Sequence, residues 1–330
     1  MAVSMEMELD VEQRCVHVLL SQHGIRLDKC LADLIPEFSR TYLQQLMAQG
    51  DVILEGVTAT KPSLKVKAGQ RIDVTLSPTD QASSFKPEPI DLNVVYEDAD
   101  MLVLNKPAGM VVHPAAGNWS GTIMNGLLHH HRGASDLPRA GIVHRLDKDT
   151  SGLMVVGKTR LAVEALSRMI AAREVHRFYL AIAEKTWAKT GVMTVDEPLG
   201  RDPHNRLRMS VQPRHAASAK AAKTQFRSVA PLAGMSLIAC KLFTGRTHQI
   251  RVHLSWIGHP ILGDAVYGGH SLEGMSRQAL HATRLELLHP VSGRPLVFLA
   301  PVPRDMEKIL EGHGVTYNIE SLGANTFSPS

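Results

Sequence analysis

The sequence predicts an α+β protein on three observations. Its apolar runs are mostly short and β-branched, and they arrive in pairs around turns rather than alternating regularly with helices. Stretches with helical spacing of apolar residues are few and lie scattered among the strands. A run rich in proline and serine, Ser77 to Pro89, separates a short N-terminal segment from a much longer remainder. The expected architecture is a small helix–helix–hairpin domain followed by a larger domain built on a mixed, largely antiparallel sheet. The boundaries read as an N-terminal extension over 1–23, the small domain over 24–77, a linker over 78–90, the large domain over 91–317 and a disordered tail over 318–330.

A chain of 330 residues is long enough to bury a core in each domain, and its 44% apolar content is ordinary for a soluble protein. Aromatic residues make up only 5%, so a site that stacks bases has few rings to use. The net charge of +4 leans mildly towards a polyanionic partner. Cys15, Cys30 and Cys240 lack metal-ligand spacing and read as reduced thiols of a cytosolic protein. The acidic start, Met-Glu-Met-Glu-Leu-Asp, is unlike a signal peptide, and no apolar run of about 18 residues suggests a membrane span. Cytoplasmic localisation is expected. No glycine-rich nucleotide loop is present, so no nucleotide cofactor is expected.

Taken in order, residues 1–23 show no clear period and are expected to be partly flexible. From Ile25, the residues Leu27, Cys30, Leu31, Leu34 and Ile35 fall on one helical face, and Pro36 stops the run. Ser39 is placed to cap a second helix, Arg40 to Gln49, whose apolar face is Tyr42, Leu43, Leu46 and Met47; Gly50 suits its end. Val52 to Leu54 and Arg71 to Leu76 read as strands around a basic turn with Lys61, Lys65 and Lys67. In the large domain, Leu92 to Tyr96, Met101 to Leu104 and Met110 to His113 read as strands, and Thr122 to His131 as a helix. Adjacent His129, His130 and His131 point in different directions with no second ligand cluster, so no metal is expected there. Arg160 to Arg173 is the clearest amphipathic helix, with Leu161, Ala165, Leu166, Met169 and Ile170 inward. His176 to Ala183 is a strand with Arg177 and Tyr179 on one face. Arg201 to Arg227 holds seven basic residues and one acid, which reads as a loop and strand edge. Met235 to Phe243 is a buried strand, and Thr244 to Thr247 turns into a helix with Ile250, Leu254 and Ile257 inward. Leu285 to Leu288 leads to a last strand, Leu296 to Ala300, then a helix from Asp305 to Leu310; Asn318 to Ser330 reads as disordered.

The most charged stretch lies between two apolar arms, within Gly141 to Thr159. His144, Arg145, Asp147, Lys148 and Asp149 fall within six residues and are closed by Thr150-Ser151-Gly152. Charges held between buried strands must be paired or used. Three readings are open: a solvated turn with ion pairs, a calcium loop, or a catalytic carboxylate at Asp147 with Arg145 beside it and a second cation from elsewhere in the fold. The calcium pattern fails because its twelfth position holds Lys158 where a Glu is needed.

The run His144-Arg145-Leu146-Asp147-Lys148-Asp149-Thr150-Ser151-Gly152 resembles the signature of the RluA/RluD family of RNA pseudouridine synthases. Three further stretches match in the family's order: Asn105-Lys106-Pro107 through His113-Pro114, Arg177-Phe178-Tyr179, and Thr244-Gly245-Arg246-Thr247-His248-Gln249-Ile250-Arg251-Val252-His253. The resemblance covers roughly residues 15 to 310. The segment 24–77 is similar to the small RNA-binding domain named after ribosomal protein S4, with Arg26, Lys29, Arg40, Lys61, Lys65 and Lys67 as candidate phosphate contacts.

The resemblance implies isomerisation of uridine to pseudouridine within RNA, without cofactor or metal. It favours the branch acting on large-subunit (23S) ribosomal RNA or its precursor, as a monomer with no membrane. Asp147 matches the catalytic carboxylate, Arg251 the arginine that pairs with it, and Tyr179 the active-site tyrosine. Arg145 would enter the helix in place of the flipped uridine, and His144, Ile250 and Arg246 would contact substrate, as would Lys106 if it faces the RNA rather than serving the structure. Breaking a bond at an anomeric carbon develops oxocarbenium character, which a carboxylate can stabilise or attack, or the same carboxylate removes a ribose proton. The basic run 201–227 would lie against RNA backbone. Alternatives are the same reaction on tRNA, an RNA-binding ribosome-assembly factor without catalysis, and a metal-dependent nuclease using Asp147 and Asp149.

Overall fold

The computed structural model describes residues 12–36, 40–76, 86–115, 118–205, 208–272 and 274–327. Two compact units divide between Lys86 and Pro87. Among the described residues no helix is long and apolar enough to cross a membrane.

The first unit contains β1 (Glu12–His17), α1 (Leu27–Leu34), α2 (Arg40–Gln49), β2 (Val52–Leu54), β3 (Val57–Thr58) and β4 (Arg71–Leu76). Its antiparallel sheet runs β1-β4-β2-β3. The apolar stripes of the two helices, with Leu27, Cys30, Leu31, Leu43, Leu46 and Met47 fully buried, close over Val52, Ile72 and Val74. Glu55 and Gly56 both take positive φ, as the tight β2–β3 hairpin requires. Ser39, the expected cap of α2, lies outside the described residues. The expected extension over 1–23 needs correction. Glu12–His17 pairs residue for residue with β4, and Val18 enters the core. An edge strand that, over 13–17, turns Arg14 and Val16 partly inward carries too little apolar period to be seen in sequence.

The second unit holds β5 (Val94–Glu97), β6 (Met101–Lys106), α3 (Ile123–His130), β7 (Ser151–Gly157), α4 (Arg160–Ala172), β8 (His176–Glu184) and β9 (Met193–Asp196). It continues with β10 (Leu199–Arg201), β11 (Met209–Val211), β12 (Lys223–Leu232), β13 (Met235–Leu242), α5 (Gln249–Trp256), β14 (Leu280–Leu288), β15 (Pro295–Leu299) and α6 (Arg304–Gly312). Among the described residues nine strands form one sheet in the order β5-β6-β7-β14-β8-β13-β12-β9, with β15 also on β14. Its pairings are antiparallel except β7 with β14, so the sheet is mixed and largely antiparallel, as expected. Strands β10 and β11 pair separately at the start of the basic run.

All seven residues of β7 are buried. Leu102, Leu104, Met154 and Val156 face one apolar cluster, while Met101, Val103, Leu153 and Val155 face another, so both faces of the sheet are covered. Gly152 has φ +117, and a Cβ there would stand 2.3 Å from the carbonyl oxygen of Ala282 on β14. Only glycine permits that approach.

Four local expectations change. Met110 to His113 is not a strand: the carbonyls of Val111 and Val112 accept from Ile123 and Met124, capping the start of α3. Leu161 on α4 is 57% exposed, and Ala162 and Val163 take the inward places. The end of the expected linker is docked, with Glu88 bonded to Gly121 and Asn125 and Ile90 packed on the core. The expected disordered tail is ordered as far as Phe327, in the short turns Ile319–Ser321 and Ala324–Phe327. Phe327 stacks on Phe178, and Arg227 donates to the carbonyl of Thr326.

Candidate active site

The loop between His144 and Thr150 is fastened from several sides. Lys106, the last residue of β6, is fully buried, and its Nζ donates to the carbonyls of Pro107, Met110 and Lys148 at 2.8–2.9 Å. Burial pushes its pKa down to about 7, against the pull of Asp149 and Asp147. The expected substrate contact at Lys106 is therefore corrected: an ammonium enclosed by three carbonyls fastens the loop from below. Arg277 donates to the carbonyl of Asp149, Gln278 to the hydroxyl of Thr150, and Ser151 is bonded to His281. His144 is also turned to this task. Its Nε2 accepts from the backbone N–H of Val155 at 3.0 Å, and burial, helped by Arg177, lowers its pKa to about 3.

The loop delivers Asp147 to a cleft of about 590 Å³, a volume suited to a nucleotide-sized group. The opposite wall comes from the turn before α5. Gln249 uses its whole amide to hold that turn, accepting from Thr244 Oγ1 and Arg246 N and donating to Lys223 O and Thr224 Oγ1. From the same turn, Ile250 (buried) and Arg246 (exposed) reach the cleft.

Arg251 Nη1 donates to Asp147 Oδ2 at 3.1 Å, while its Nε and Nη2 clasp Asp264 at 2.7 and 2.9 Å. Burial opposes its charge, but the two carboxylates overcome this and raise its pKa. On the other carboxylate oxygen, His248 Nε2 stands 3.9 Å from Asp147 Oδ1, and its Nδ1 is bonded to the hydroxyl of Tyr267 at 2.7 Å. His248 takes φ +57, a conformation uncommon for a residue with a side chain. Burial lowers its pKa, partly offset by Asp147. Tyr179, on β8, is 5% exposed; burial pushes its phenol up to about 12, with Arg177 opposing and Asp147 adding. Its hydroxyl has no hydrogen-bond partner among the described residues.

Asp147, Tyr179, Arg251, Arg145, His144, Ile250 and Arg246 thus share one cleft, and Lys106 lies beneath it. Among the described residues, six arginines line that cleft and Asp147 is its one carboxylate, which favours an anionic ligand. Arg145 is exposed, and its guanidinium has no partner among the described residues. Asp264, Tyr267, His248 and Arg177 had no expected role. A lone acid after the apolar Ile261-Leu262-Gly263 run was the available signal for Asp264.

In the first unit Lys29, Lys61, Lys65 and Lys67 are exposed. Arg26 and Arg40 are committed to Asp28, a fully buried carboxylate that also accepts from Gln44, leaving each arginine about half exposed. The three histidines ending α3 go separate ways: His130 pairs with Glu97, and His131 bonds the carbonyl of Lys158. Asp98, Asp100 and His289 bring possible metal-ligand atoms together elsewhere. There His289 Nδ1 accepts from Val291 and Ser292, so its Nε2–H donates to Asp98.

The chain is an RNA-isomerising enzyme by its family: it belongs to the RNA pseudouridylate synthase family, whose model matches residues 100–256. Its sequence is similar to ribosomal large subunit pseudouridine synthase D of Pasteurella multocida, 42% identical over 315 residues, covering 92% of this chain and 95% of that one. The protein of that name from Neisseria meningitidis serogroup B is 45% identical over 304 residues, covering 89% and 80%. Among solved structures, human RNA pseudouridylate synthase domain containing 4 is similar with a TM-score of 0.53 and 26% identity, over 66% of this chain and 92% of that one.

Proposed function

We propose that this chain isomerises uridine to pseudouridine in large-subunit (23S) ribosomal RNA, as a cytoplasmic monomer with no membrane partner and with Asp147 as the catalytic carboxylate. The names of the relatives support the choice of RNA. The observation that carries the residue is Asp147's pairing with a doubly anchored Arg251 inside a cationic cleft. In the reaction the N1–C1′ bond breaks, the uracil turns over and C5 joins C1′. C5 loses a proton and N1 gains one, so nothing is oxidised or transferred to another molecule.

An ionised Asp147 serves either entry to this chemistry, attack at C1′ or removal of a ribose proton. Tyr179 stays a neutral phenol near pH 7, able to stack on uracil and, through its free hydroxyl, to relay the C5 proton. Ile250 supplies an apolar wall to the base, and Arg246 a cation at the cleft edge. Arg145, flat, charged and unpartnered among the described residues, fills the space the base leaves. The small first unit is an S4-like RNA-binding domain over 24–77, using Lys29, Lys61, Lys65 and Lys67 and the outer faces of Arg26 and Arg40.

Asp147→Asn keeps the shape and removes the charge. Turnover should fall by at least about three orders of magnitude, with RNA affinity within about tenfold, ~1.4 kcal/mol. Appreciable product from this variant would remove Asp147 from the chemistry. Wild-type product formed in EDTA on an uncut strand would exclude the nuclease alternative.

A further inference from the structure

We propose that Arg177 and His144 form a subsite for a backbone phosphate of the flipped nucleotide, a reading that rests on this cleft being the uridine site. Arg177 lies on β8 two residues before Tyr179, on the same face, and lines the cleft with only 7% exposure. Its guanidinium makes no hydrogen bond or ion pair with any described residue, and its Nε is enclosed without an acceptor. A permanent cation buried without a counter-charge is strongly unfavourable, so such a group marks a place where a partner is to arrive. Gly245, also on the cleft, makes room for it: a Cβ there would stand 2.8 Å from Arg177 Nη1.

His144 adds a second unmatched atom. Because its Nε2 accepts from Val155 N–H, the ring proton sits on Nδ1, and that Nδ1 is enclosed without an acceptor. Both orphaned atoms are therefore donors, and one belongs to a cation. The ligand they lack is an acceptor with negative charge. Asp147, the carboxylate of the cleft, is already held by Arg251. On a polynucleotide the remaining match is a phosphodiester oxygen, which an arginine binds with two parallel donors. Uracil carbonyls offer acceptors but no charge. Residues i and i+2 of a strand lie about 7 Å apart, a step comparable to that from a base stacked on Tyr179 to its own phosphate.

The test is a single-turnover cycle. Wild type and Arg177→Met act on a ribosomal hairpin carrying a neutral methylphosphonate at the 5′ or the 3′ linkage of the target uridine. At one linkage, loss of the charge should slow wild type about tenfold or more and leave the already slower Arg177→Met no slower. Arg177→Met should also melt no lower than wild type, because it sheds an unpaired buried charge. Independent, multiplicative losses at both linkages would overturn the subsite, as would a lower melting temperature with equal slowing on all three RNAs. Should Arg177→Met not fold, Arg177→Gln, which removes the charge and the fork but keeps a polar side chain, enters the same cycle with the same criterion. If wild type makes no pseudouridine even on the unmodified hairpin, it is the functional reading that fails. Product from wild type with indifference to both linkages fails the subsite alone.

Discussion

With two of its nitrogens on Asp264, the Arg251 guanidinium has a fixed plane, and Nη1 alone is left for Asp147. Asp264→Asn breaks the charged half of that clasp and lets the arginine turn. We expect kcat to fall roughly 10- to 100-fold, the cost typical of losing a group that orients an active-site ligand, with KM little changed. A raised KM at unchanged kcat would make Asp264 a substrate contact instead. Neither Asp264 nor Tyr267 was visible as a partner in sequence, because nothing local in Gly263 to Gly268 points to a guanidinium on a separate helix. Lys106 shows the reverse case. Its motif stood out, but whether an ammonium faces ligand or fastens carbonyls depends on burial, which spacing does not report.

At the level of elements, periodicity was a good guide for α1, α2, α4 and β4, which bury one face, and apolar content for β8, β13 and α5, which are buried on both. Helices α1, α2, α4 and α5 and strands β4, β8 and β13 lie within a residue or two of their expected positions. It failed at Met110 to His113, whose carbonyls serve α3 and Lys106, and at Phe327, a single ring in a polar tail. One strand contact is open to direct test. A methyl at Gly152 would meet the Ala282 carbonyl and carbon at 2.3–2.7 Å and would sit on a backbone with positive φ. Gly152→Ala should therefore cost at least ~2 kcal/mol and slow catalysis too, because β7 carries the loop of Asp147. Thermal unfolding beside single-turnover rates would show both effects; full activity with wild-type melting would mean that β7 and β14 can separate here at no cost.

For the whole molecule, two responses follow. His144 and His281 are buried neutral, with pKa values lowered to about 3 and about 4 by burial, and His113 is likewise lowered to about 4. Below their ordinary ~6.5 the unfolded chain takes up protons that the folded one refuses, so stability falls as pH drops through that window and is regained as pH rises. At pH 5 the loss is about 2 kcal/mol for each of the two most buried rings. Denaturant melts at pH 7.5 and 5 measure it, and equal midpoints would contradict it. The second response concerns residues 1–86, the unit with its own core and an exposed row of lysines. Without them, RNA binding should weaken and its salt dependence should flatten, by about 0.7–0.9 in log–log slope for each phosphate that the shortened chain leaves unneutralised. An unchanged slope would assign this unit another task.

The parallel pairing of β7 with β14 joins Ser151 to His281 across 130 residues, and Arg251 follows Asp147 by 104. At about 5–20 residues per second of synthesis, the carboxylate leaves the ribosome roughly 7 to 26 s before the strand that will seat it. An unfinished copy thus holds Asp147 with β6 beside β7 but without Arg251, without β14 and without the wall that closes the cleft. Competence arrives late and all at once, when the C-terminal strands dock. A growing chain therefore has no assembled site until β14 has emerged and docked on β7.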